Sequence, residues 1–424
     1  MSSIPRQVRV YADWDGLNGP CLMGQLAMDR VRGKEVFSFE YCDEWLSMGL
    51  AQQLDPELQM FAGKQYLRDA KQNFGLFLDS SPDRWGRLLM RRREACYARR
   101  DRRTEERLTE LDYLLGVYDG QRMGAIRFQE GALDCYLNSD EQMATPPWTA
   151  LRDLEYASLR FEESDLQDDD ETLKWLNQLL APGSSLGGTR PKAGVVDERG
   201  RLWIAKFPSR SDQVDTGAWE CVVHELARKA GLQVPEASAR TFTSQYHTFL
   251  SRRFDRTPSG QRRHFASAMT LLGYADGASA ASGVSYLEIA EFIMRHGATP
   301  QADLAELWRR IVFNICVSNT DDHLRNHGFI LATKEGWRLS PAYDMNPNPQ
   351  GDGLTLNITE NDNRLDLGLA LEVAESFHLE LSHAQELLEV VCHAVKQWRQ
   401  VATRQKISKM EQEKMALAFQ QAGR

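Results

Sequence analysis

The sequence has no paired cysteine motif. Its 424 residues contain seven cysteines, an odd number spread along the whole chain, and no two of them form a Cys-x-x-Cys pair. This distribution argues against a disulfide framework and against a structural zinc site. We therefore predict buried free thiols in a reducing compartment. The seven are Cys21, Cys42, Cys96, Cys135, Cys221, Cys316 and Cys392.

Long apolar runs and a recognisable export signal are also lacking. No window reaches about 18 consecutive apolar residues, roughly the length that a membrane-spanning helix needs. The first eight residues contain no basic stretch followed by an apolar one, which is the pattern of a secretory leader. The sequence therefore favours a soluble, cytoplasmic protein with no membrane partner.

An excess of positive charge is missing as well. The 60 acidic and 51 basic side chains give a formal net charge of -9, so we expect no binding of nucleic acid along the whole chain. The sequence contains two local groups of basic residues. In the simplest interpretation they are solvated surface, and in the alternative interpretation they contact a partner protein or DNA. They are the segment Arg91 to Arg103 and the late residues Lys396, Arg399, Arg404 and Lys406.

Local patterns predict an α+β protein with more than one core. Alternating apolar residues predict strands in the first fifty residues, and residues 193–254 have the order strand, strand, helix, strand, strand. Beyond Met269 the apolar spacing is mainly helical, including the stretch 384–402. A chain of this length is expected to form two or three cores, which we place at residues 1–145, 146–255 and 256–424.

A carboxylate and an amide five residues apart follow one of the predicted helices. Asp321 and Asn326 have the spacing Asp-x-x-x-x-Asn, which in protein kinases supplies a residue that orients the acceptor hydroxyl and an amide ligand for magnesium. Asp344 is a third oxygen ligand of a suitable type, and ATP would complete the coordination shell. The alternative is local: Asp321 caps a helix and Asn326 lies in a turn. The spacing therefore suggests phosphoryl transfer.

Two further features support this interpretation. In Ser184–Lys192, Gly187 and Gly188 have no side chains and would let backbone N–H groups approach phosphate oxygens, although Gly-Gly also makes ordinary turns. Lys206 lies in an apolar strand and needs a counter-charge, either from ATP phosphates or from Glu220. A lysine at a strand edge that points to water is the alternative.

His323 raises the possibility of a transition-metal site with Asp321 and Asp344. No cysteine has ligand spacing to it. The sequence therefore favours a structural or phosphate-contacting histidine.

Taken together, these motifs resemble the HipA family of bacterial serine/threonine kinases, which are toxins of HipBA-type toxin–antitoxin pairs. The resemblance covers nearly the whole chain and also includes 77–85 and 114–120 in the amino-terminal part. It rests mainly on Ser184–Lys192, Ile204–Pro208, Asn319–His323 with Asn326, and Pro341–Asp344.

The resemblance implies a protein-kinase-like two-lobe fold with an additional amino-terminal α/β subdomain and a mainly helical carboxy-terminal lobe. It implies ATP and Mg²⁺ as cofactors, Asp321 as the catalytic aspartate, Asn326 and Asp344 as metal ligands, and Asp255 near the ribose. The implied ATP-binding residues are Gly187, Gly188, Thr189, Arg190, Pro191, Lys192, Lys206, Arg252, Arg253, Phe254, His323, Leu324, Arg325, Asn326, Tyr343 and Asp344.

Regulation and partners are implied in the same way. Ser185 aligns with a serine that family members autophosphorylate to switch themselves off, and the adjacent Ser184 leaves that assignment open. Added negative charge beside a phosphate loop would oppose ATP phosphates there. The implied partners are an aminoacyl-tRNA synthetase as substrate, a HipB-like helix-turn-helix antitoxin, and operator DNA through that antitoxin. The alternatives are a small-molecule kinase of the aminoglycoside phosphotransferase type and a degenerate kinase fold that serves only as a corepressor.

Overall fold

The computed structural model describes residues 6–49, 52–67, 71–131, 135–137, 145–163, 176, 179 and 190–423. The chain divides into two units. Unit 1 contains Met1–Arg210 and Asp255–Ala266, and unit 2 contains Ser211–Phe254 and Ser267–Arg424. The first point of division, after Arg210, falls inside the region predicted at 146–255. The predicted division into residues 1–145, 146–255 and 256–424 remains a prediction.

Among the described residues, unit 1 contains a five-stranded sheet, a hairpin and five α-helices. Its strands are β1 (Arg6–Ala12), β2 (Cys21–Val31), β3 (Lys34–Tyr41), β4 (Gln65–Tyr66), β5 (Ile126–Glu130), β6 (Lys192–Val196) and β7 (Leu202–Lys206). Its helices are α1 (Asp43–Ser47), α2 (Gly75–Leu78), α3 (Arg84–Arg100), α4 (Glu110–Leu115) and α5 (Leu151–Phe161).

The first five strands form an antiparallel sheet in the order β4-β3-β2-β1-β5. In β1 the side chains of Val8, Val10 and Ala12 are buried and the intervening ones are not, because successive residues of a strand point to opposite faces. The separate hairpin β6–β7 is also antiparallel and pairs Lys192 with Lys206 in register. It has the position that the sequence predicted.

In the part of the chain that the structure describes, unit 2 contains two hairpins and eight α-helices. Its strands are β8 (Ala237–Arg240), β9 (Thr248–Arg252), β11 (Gly328–Ala332) and β12 (Gly336–Leu339), while β10 (Phe265–Ser267) spans the division in the sequence. Its helices are α6 (Thr216–Lys229), α7 (Ala268–Leu271), α8 (Tyr286–His296), α9 (Pro300–Val317), α10 (Leu367–Glu372), α11 (Leu381–Val395), α12 (Trp398–Arg404) and α13 (Lys409–Met415). β8 pairs antiparallel with β9, and β11 with β12.

Helix α9 is the centre of unit 2. Pro300 begins it, in the first turn where the missing N–H costs nothing. Side chains on all faces of its second half are buried, including Trp308, Ile311 and Phe313, as expected for a helix surrounded by protein. It packs on α8, on α11 and on the carboxy-terminal segment Ala416–Gly423. Its carboxyl end therefore has a fixed position, and the predicted catalytic loop starts there.

The α+β prediction is confirmed, and the ladders between the named strands of each unit are antiparallel. One expected helix differs. The stretch 384–402 is divided into α11 and α12 at Lys396 and Gln397. The break lets Trp398 stack on Phe419 with ring centroids 4.6 Å apart and tilt against Trp219.

Two expectations from composition can be compared with the structure. All seven cysteines are free, but Cys135 is exposed and Cys21 and Cys42 are only partly buried, so the prediction of buried thiols is wrong for these three. Among the described residues, no helix combines the length and the apolar character that crossing a membrane requires.

Candidate functional site

The loop after α9 contains most of the predicted catalytic residues. Ser318, the first residue beyond the helix, has a left-handed backbone with φ 49°, which turns the chain away from the helix axis. The Asn319 N–H donates to the Asn314 carbonyl over 2.9 Å, and Ser318 Oγ donates to the Ala418 carbonyl over 2.9 Å. The start of the loop is therefore held from both sides.

Asp321 and Asn326 lie at the two ends of one tight turn. The His323 N–H donates to the Asp321 carbonyl over 3.0 Å, and the Asn326 N–H donates to the His323 carbonyl over 2.8 Å. The buried Asn326 side chain donates through Nδ2 to the Asp321 carbonyl over 2.9 Å. Its Oδ1 has no hydrogen-bond partner among the described residues. The turn thus leaves one amide oxygen available beside Asp321.

Asp344 lies on a second segment, which follows β12. Its φ of 58° is in the left-handed region, where few residues other than glycine, asparagine and aspartate are found. Such conformations persist where surrounding contacts impose them, and they are frequent at functional sites. Two residues later the Asn346 N–H donates to Asn319 Oδ1 over 3.1 Å. This bond connects the Asp344 segment with the loop that carries Asp321.

The charges around Asp321 affect its protonation. Asp321 is exposed, yet partial desolvation raises its pKa, His323 nearby works against the rise, and the negative charges of Asp344 and Asp322 add to it. Repulsion between nearby carboxylates has this effect, and a bound cation would relieve it. A carboxylate with a raised pKa is a better proton acceptor for a hydroxyl group.

The oxygen atoms of this site suit magnesium. Asn326 Oδ1 has no other partner, and the Asp344 carboxylate is a hard anionic donor of the type that Mg²⁺ prefers. Two protein ligands leave the rest of an octahedral shell to phosphate oxygens and water. Among the described residues, no group of three or more His, Cys, Asp or Glu side chains is arranged to hold a metal ion.

Sequence reasoning missed the role of Asp322. Its buried Oδ2 accepts hydrogen bonds from Tyr286 Oη over 2.6 Å, from Asn314 Nδ2 over 2.6 Å and from His327 Nε2 over 2.8 Å. Burial works to raise the pKa of Asp322, but the His327 imidazole and these hydrogen bonds outweigh burial and lower it. The sequence signal was a second carboxylate beside Asp321 with a histidine five residues later, but the donors on α8 and α9 were not visible.

Several residues predicted to line the nucleotide site lie together in unit 2. Tyr343 Oη donates to the Arg325 carbonyl over 2.6 Å, and the Tyr343 ring lies against Phe254 with centroids 5.5 Å apart. Leu324 is buried, and His323 Nδ1 has no hydrogen-bond partner among the described residues. These residues form a half-buried aromatic and polar wall next to the Asp321 turn.

The residues of the predicted adenine hinge have different environments. Arg252 ends β9 and is 3.4 Å from Glu236 through Nη1, whereas Arg253 is buried. Asp255 belongs to unit 1 and is completely buried, where it accepts hydrogen bonds from the Gly124 N–H and from Arg256 Nη1 over 2.9 and 2.6 Å. The expectation that Asp255 reaches a ribose is therefore wrong, because its side chain is completely buried and its Oδ2 already accepts two protein donors.

The predicted phosphate residues belong to unit 1, and Ser184, Ser185, Gly187, Gly188 and Thr189 lie outside the described residues. Lys206 ends β7 and is partly exposed, Arg190 is partly exposed, and Pro191 is buried.

Lys192 differs from its neighbours because it is buried and forms an ion pair. Its Nζ lies 2.7 Å from Asp83 Oδ2. Asp83 also caps α3 by accepting the Gly86 N–H over 2.8 Å, and Trp85 Nε1 donates to the Lys192 carbonyl over 3.1 Å. The start of β6 is thus attached to the start of α3 inside unit 1.

Four of the basic residues considered for partner contacts form ion pairs within their own units. On or just after α3, Arg103 forms an ion pair with Glu94, and Arg100 forms one with Asp101. Near the carboxyl end, Arg399 pairs with Glu413 and Arg404 pairs with Glu225. These pairs reduce the positive potential that would attract nucleic acid.

Comparison with known proteins gives three results. The profile of the HipA-like C-terminal domain matches residues 184–399, more than half of the chain. A protein of Haemophilus influenzae named "Putative kinase" is 28% identical over 181 residues, which are 38% of this chain and 52% of the relative. A protein of Sinorhizobium fredii named "Putative kinase Y4dM" is 30% identical over 170 residues, which are 38% of this chain and 39% of the relative. The chain thus spans about half or less of the length of these curated relatives.

A solved structure gives the fold. HipA of Shewanella oneidensis MR-1, in a toxin–antitoxin complex with HipB and its operator DNA, matches with a TM-score of 0.65 and 17% identity. The match covers 98% of this chain and 95% of the Shewanella chain, so the fold is similar along almost the entire length. The resemblance found in the sequence is confirmed: the chain belongs to the family of the HipA-like C-terminal domain.

Proposed function

We propose that this protein is an ATP- and magnesium-dependent serine/threonine protein kinase with a two-lobe kinase fold. The observation that carries the proposal is the turn that joins Asp321 to Asn326, tied through Asn319 to the segment of Asp344. A proton acceptor, an amide oxygen and a second carboxylate are the groups that phosphoryl transfer to a hydroxyl requires.

In the proposed reaction, Asp321 orients the acceptor hydroxyl and takes its proton. The hydroxyl oxygen forms a bond to the γ-phosphorus of ATP, the bond from that phosphorus to the β–γ bridging oxygen breaks, and ADP leaves. Asn326 and Asp344 would hold magnesium, which neutralises charge on the phosphate oxygens. The raised pKa of Asp321 supports its role as proton acceptor.

ATP would be held by the remaining predicted residues. We assign Lys206, Arg190 and the loop from Gly187 to Lys192 to the phosphates, with backbone N–H groups as the main donors. The wall of Phe254 and Tyr343 supplies apolar surface for the base. The unpartnered His323 Nδ1 supports a contact with phosphate or with substrate.

The biological role that we propose is that of a type II toxin that inhibits translation. Its substrate would be an aminoacyl-tRNA synthetase, and phosphorylation of Ser185 or Ser184 would switch the kinase off by opposing ATP phosphates. A helix-turn-helix antitoxin would hold it and recruit it to operator DNA as a corepressor. The similarity in fold to HipA of Shewanella oneidensis, solved with HipB and operator DNA, supports these partners.

Mass spectrometry of the protein and of a host lysate after incubation with ATP and magnesium tests the proposal. We expect a phosphate on Ser184 or Ser185 and on one host protein, and both should vanish in Asp321→Ala, because this change removes the proposed proton acceptor. If growth arrest and ATP-dependent phosphorylation both survive in Asp321→Ala, the assignment of the site is wrong.

The same measurement separates the alternatives. Phosphate transfer to a sugar or drug, with no labelled protein in the lysate, would support the small-molecule kinase. Failure to bind ATP and magnesium in calorimetry, even after phosphatase treatment, would support the degenerate corepressor. The intact set of Lys206, Asp321, Asn326 and Asp344 argues against the degenerate form.

A further inference from the structure

A continuous chain of hydrogen bonds runs behind the proposed catalytic site. Asn314 donates through Nδ2 to Asp322 and accepts through Oδ1 from Asn319 Nδ2 over 3.1 Å. Asn319 in turn accepts the Asn346 N–H through Oδ1 over 3.1 Å. The chain thus extends from the Asp322 carboxylate, through two side-chain amides on and after α9, to the backbone two residues beyond Asp344. We call Asn314 and Asn319 the amide chain.

We propose that Asp322 is a positioning residue, whose buried carboxylate sets the separation of Asp321 and Asp344 through the amide chain. The proposal rests on the proposed kinase function and adds a residue to which that function assigns no role. Asp322 acts through its neighbours on both sides in the sequence and through Asn314, and it is not itself placed at the reacting atoms.

The carboxylate suits this role because one of its oxygens accepts three donors from separate elements. Tyr286 comes from α8, Asn314 from α9 and His327 from the position just before β11. Hydrogen bonds to an ionised group are stronger than neutral ones, and in a buried site each unsatisfied donor would be costly. A shift of any one of the three elements would lengthen or break its hydrogen bond to Asp322, so the three bonds together hold the turn between Asp321 and Asn326 in place relative to α9.

The amide chain then transfers this position to the second segment. The side chain of Asn314 has one donor and one acceptor end, and both are used, by Asp322 and by Asn319. If Asp322 no longer fixes the donor end, the amide can rotate, and Asn319 loses the partner that aims its Oδ1 at the Asn346 N–H. Displacements of about 1 Å between reacting groups can cost about a hundredfold in rate.

Asp303 offers a matched control on the same helix. It is also a buried carboxylate whose Oδ2 receives three donors, from Leu339 N and Arg338 Nε over 3.2 Å each and from Thr299 Oγ1 over 3.4 Å. It lies 11 residues before Asn314, about 16 Å along the helix axis at the usual rise per residue. Asp303→Asn therefore perturbs unit 2 without touching the amide chain.

The experiment compares Asp322→Asn with Asp303→Asn in the full-length protein. We expect both to lower the melting temperature, but only Asp322→Asn to lower kcat by about 30-fold or more with the KM for ATP within about threefold, because alignment rather than ATP binding is lost. Asn319→Ala interrupts the amide chain while leaving Asp322 in place, and it should lower kcat in the same way. If kcat in Asp322→Asn falls no further than in Asp303→Asn, Asp322 is structural only and the proposal is wrong.

Amide hydrogen exchange gives a readout that does not require activity. Loss of about one hydrogen bond should speed exchange at the Asn346 and Asn326 amides by about tenfold in Asp322→Asn relative to Asp303→Asn. If the wild-type protein transfers no phosphate, the kinase proposal fails, and the exchange rates still decide whether Asp322 positions the two segments. Equal exchange in the two variants overturns the positioning role whatever the activity.

Discussion

Replacing Asp83 by asparagine is expected to lower the free energy of unfolding by about 3–5 kcal/mol, because it leaves a buried ammonium group without its carboxylate. The two charged atoms, Asp83 Oδ2 and Lys192 Nζ, are 2.7 Å apart, and the side chains are only 2% and 4% exposed. Asparagine has nearly the same shape and can still cap α3 through its oxygen. The change therefore isolates the charge of Asp83 from its hydrogen bond to the Gly86 N–H.

Three companion variants complete a thermodynamic cycle. Asp83→Ala also removes the cap and should cost about 1 kcal/mol more than Asp83→Asn. Lys192→Met should cost less than Asp83→Asn, because the remaining carboxylate still caps the amino terminus of α3. The double variant Asp83→Asn with Lys192→Met should be more stable than Asp83→Asn alone, since the buried ammonium group is removed together with its carboxylate.

Urea unfolding followed by tryptophan fluorescence measures these differences, and Trp85 next to the ion pair is a suitable reporter. The reasoning is refuted if Asp83→Asn lowers the free energy of unfolding by less than about 1 kcal/mol, the upper end for exposed ion pairs. It is also refuted if the loss in the double variant equals the sum of the losses in Asp83→Asn and Lys192→Met. The same variants test the predicted contact of Lys192 with phosphate. If Lys192 mainly holds β6 to α3, Lys206→Met should raise the KM for ATP more than Lys192→Met does.

Two further predictions concern pH and metal binding. His264 is completely buried against Trp14, and burial lowers its pKa to about 3. Below pH 6.5 the unfolded state therefore binds a proton that the folded state does not. Between pH 6.5 and pH 5 the unfolding free energy should therefore fall by about 1.6 kcal/mol more in the wild type than in His264→Phe. An equal difference in both proteins would contradict this. For the metal, Asn326→Leu removes the unpartnered Oδ1, so calorimetry should find magnesium-dependent ATP binding weakened by about tenfold or more and metal-free binding little changed. Equal magnesium dependence in wild type and Asn326→Leu would exclude Asn326 as a ligand.

Short-range patterns in the sequence predicted the local elements well. Alternation predicted strands in the first fifty residues, such as β1, and the order strand, strand, helix, strand, strand predicted β6, β7, α6, β8 and β9. Helical spacing predicted the helices beyond Met269, among them α9 before the Asp321 turn. Burial on one side of a helix or strand leaves a periodic signal in neighbouring residues, which needs no knowledge of the partner. The same signal failed at 384–402, because the break that turns Trp398 towards Phe419 depends on a distant ring.

Pairings between distant residues could not be predicted in this way. β5 pairs with β1, which lies more than a hundred residues earlier in the chain. Asp83 forms an ion pair with Lys192 across a similar separation in sequence. The residues around Asp83 and Lys192 contain no sequence signal that identifies the other partner, because a capping aspartate and a strand lysine each have an ordinary local explanation. The burial of Asp255 within unit 1 was hidden for the same reason.

The sequence by itself determined the chemical inventory of the candidate site: a carboxylate, an amide five residues later and a second carboxylate, with the family to which the chain belongs. Those features depend only on residue type and spacing, so they can be identified without a three-dimensional structure. Only the tertiary structure decided that Asp322 accepts three donors and that Asn314 and Asn319 connect the two segments. Hydrogen bonds between separate elements exist only where packing brings donor and acceptor within about 3 Å, and the burial of α9 is what provides that packing here.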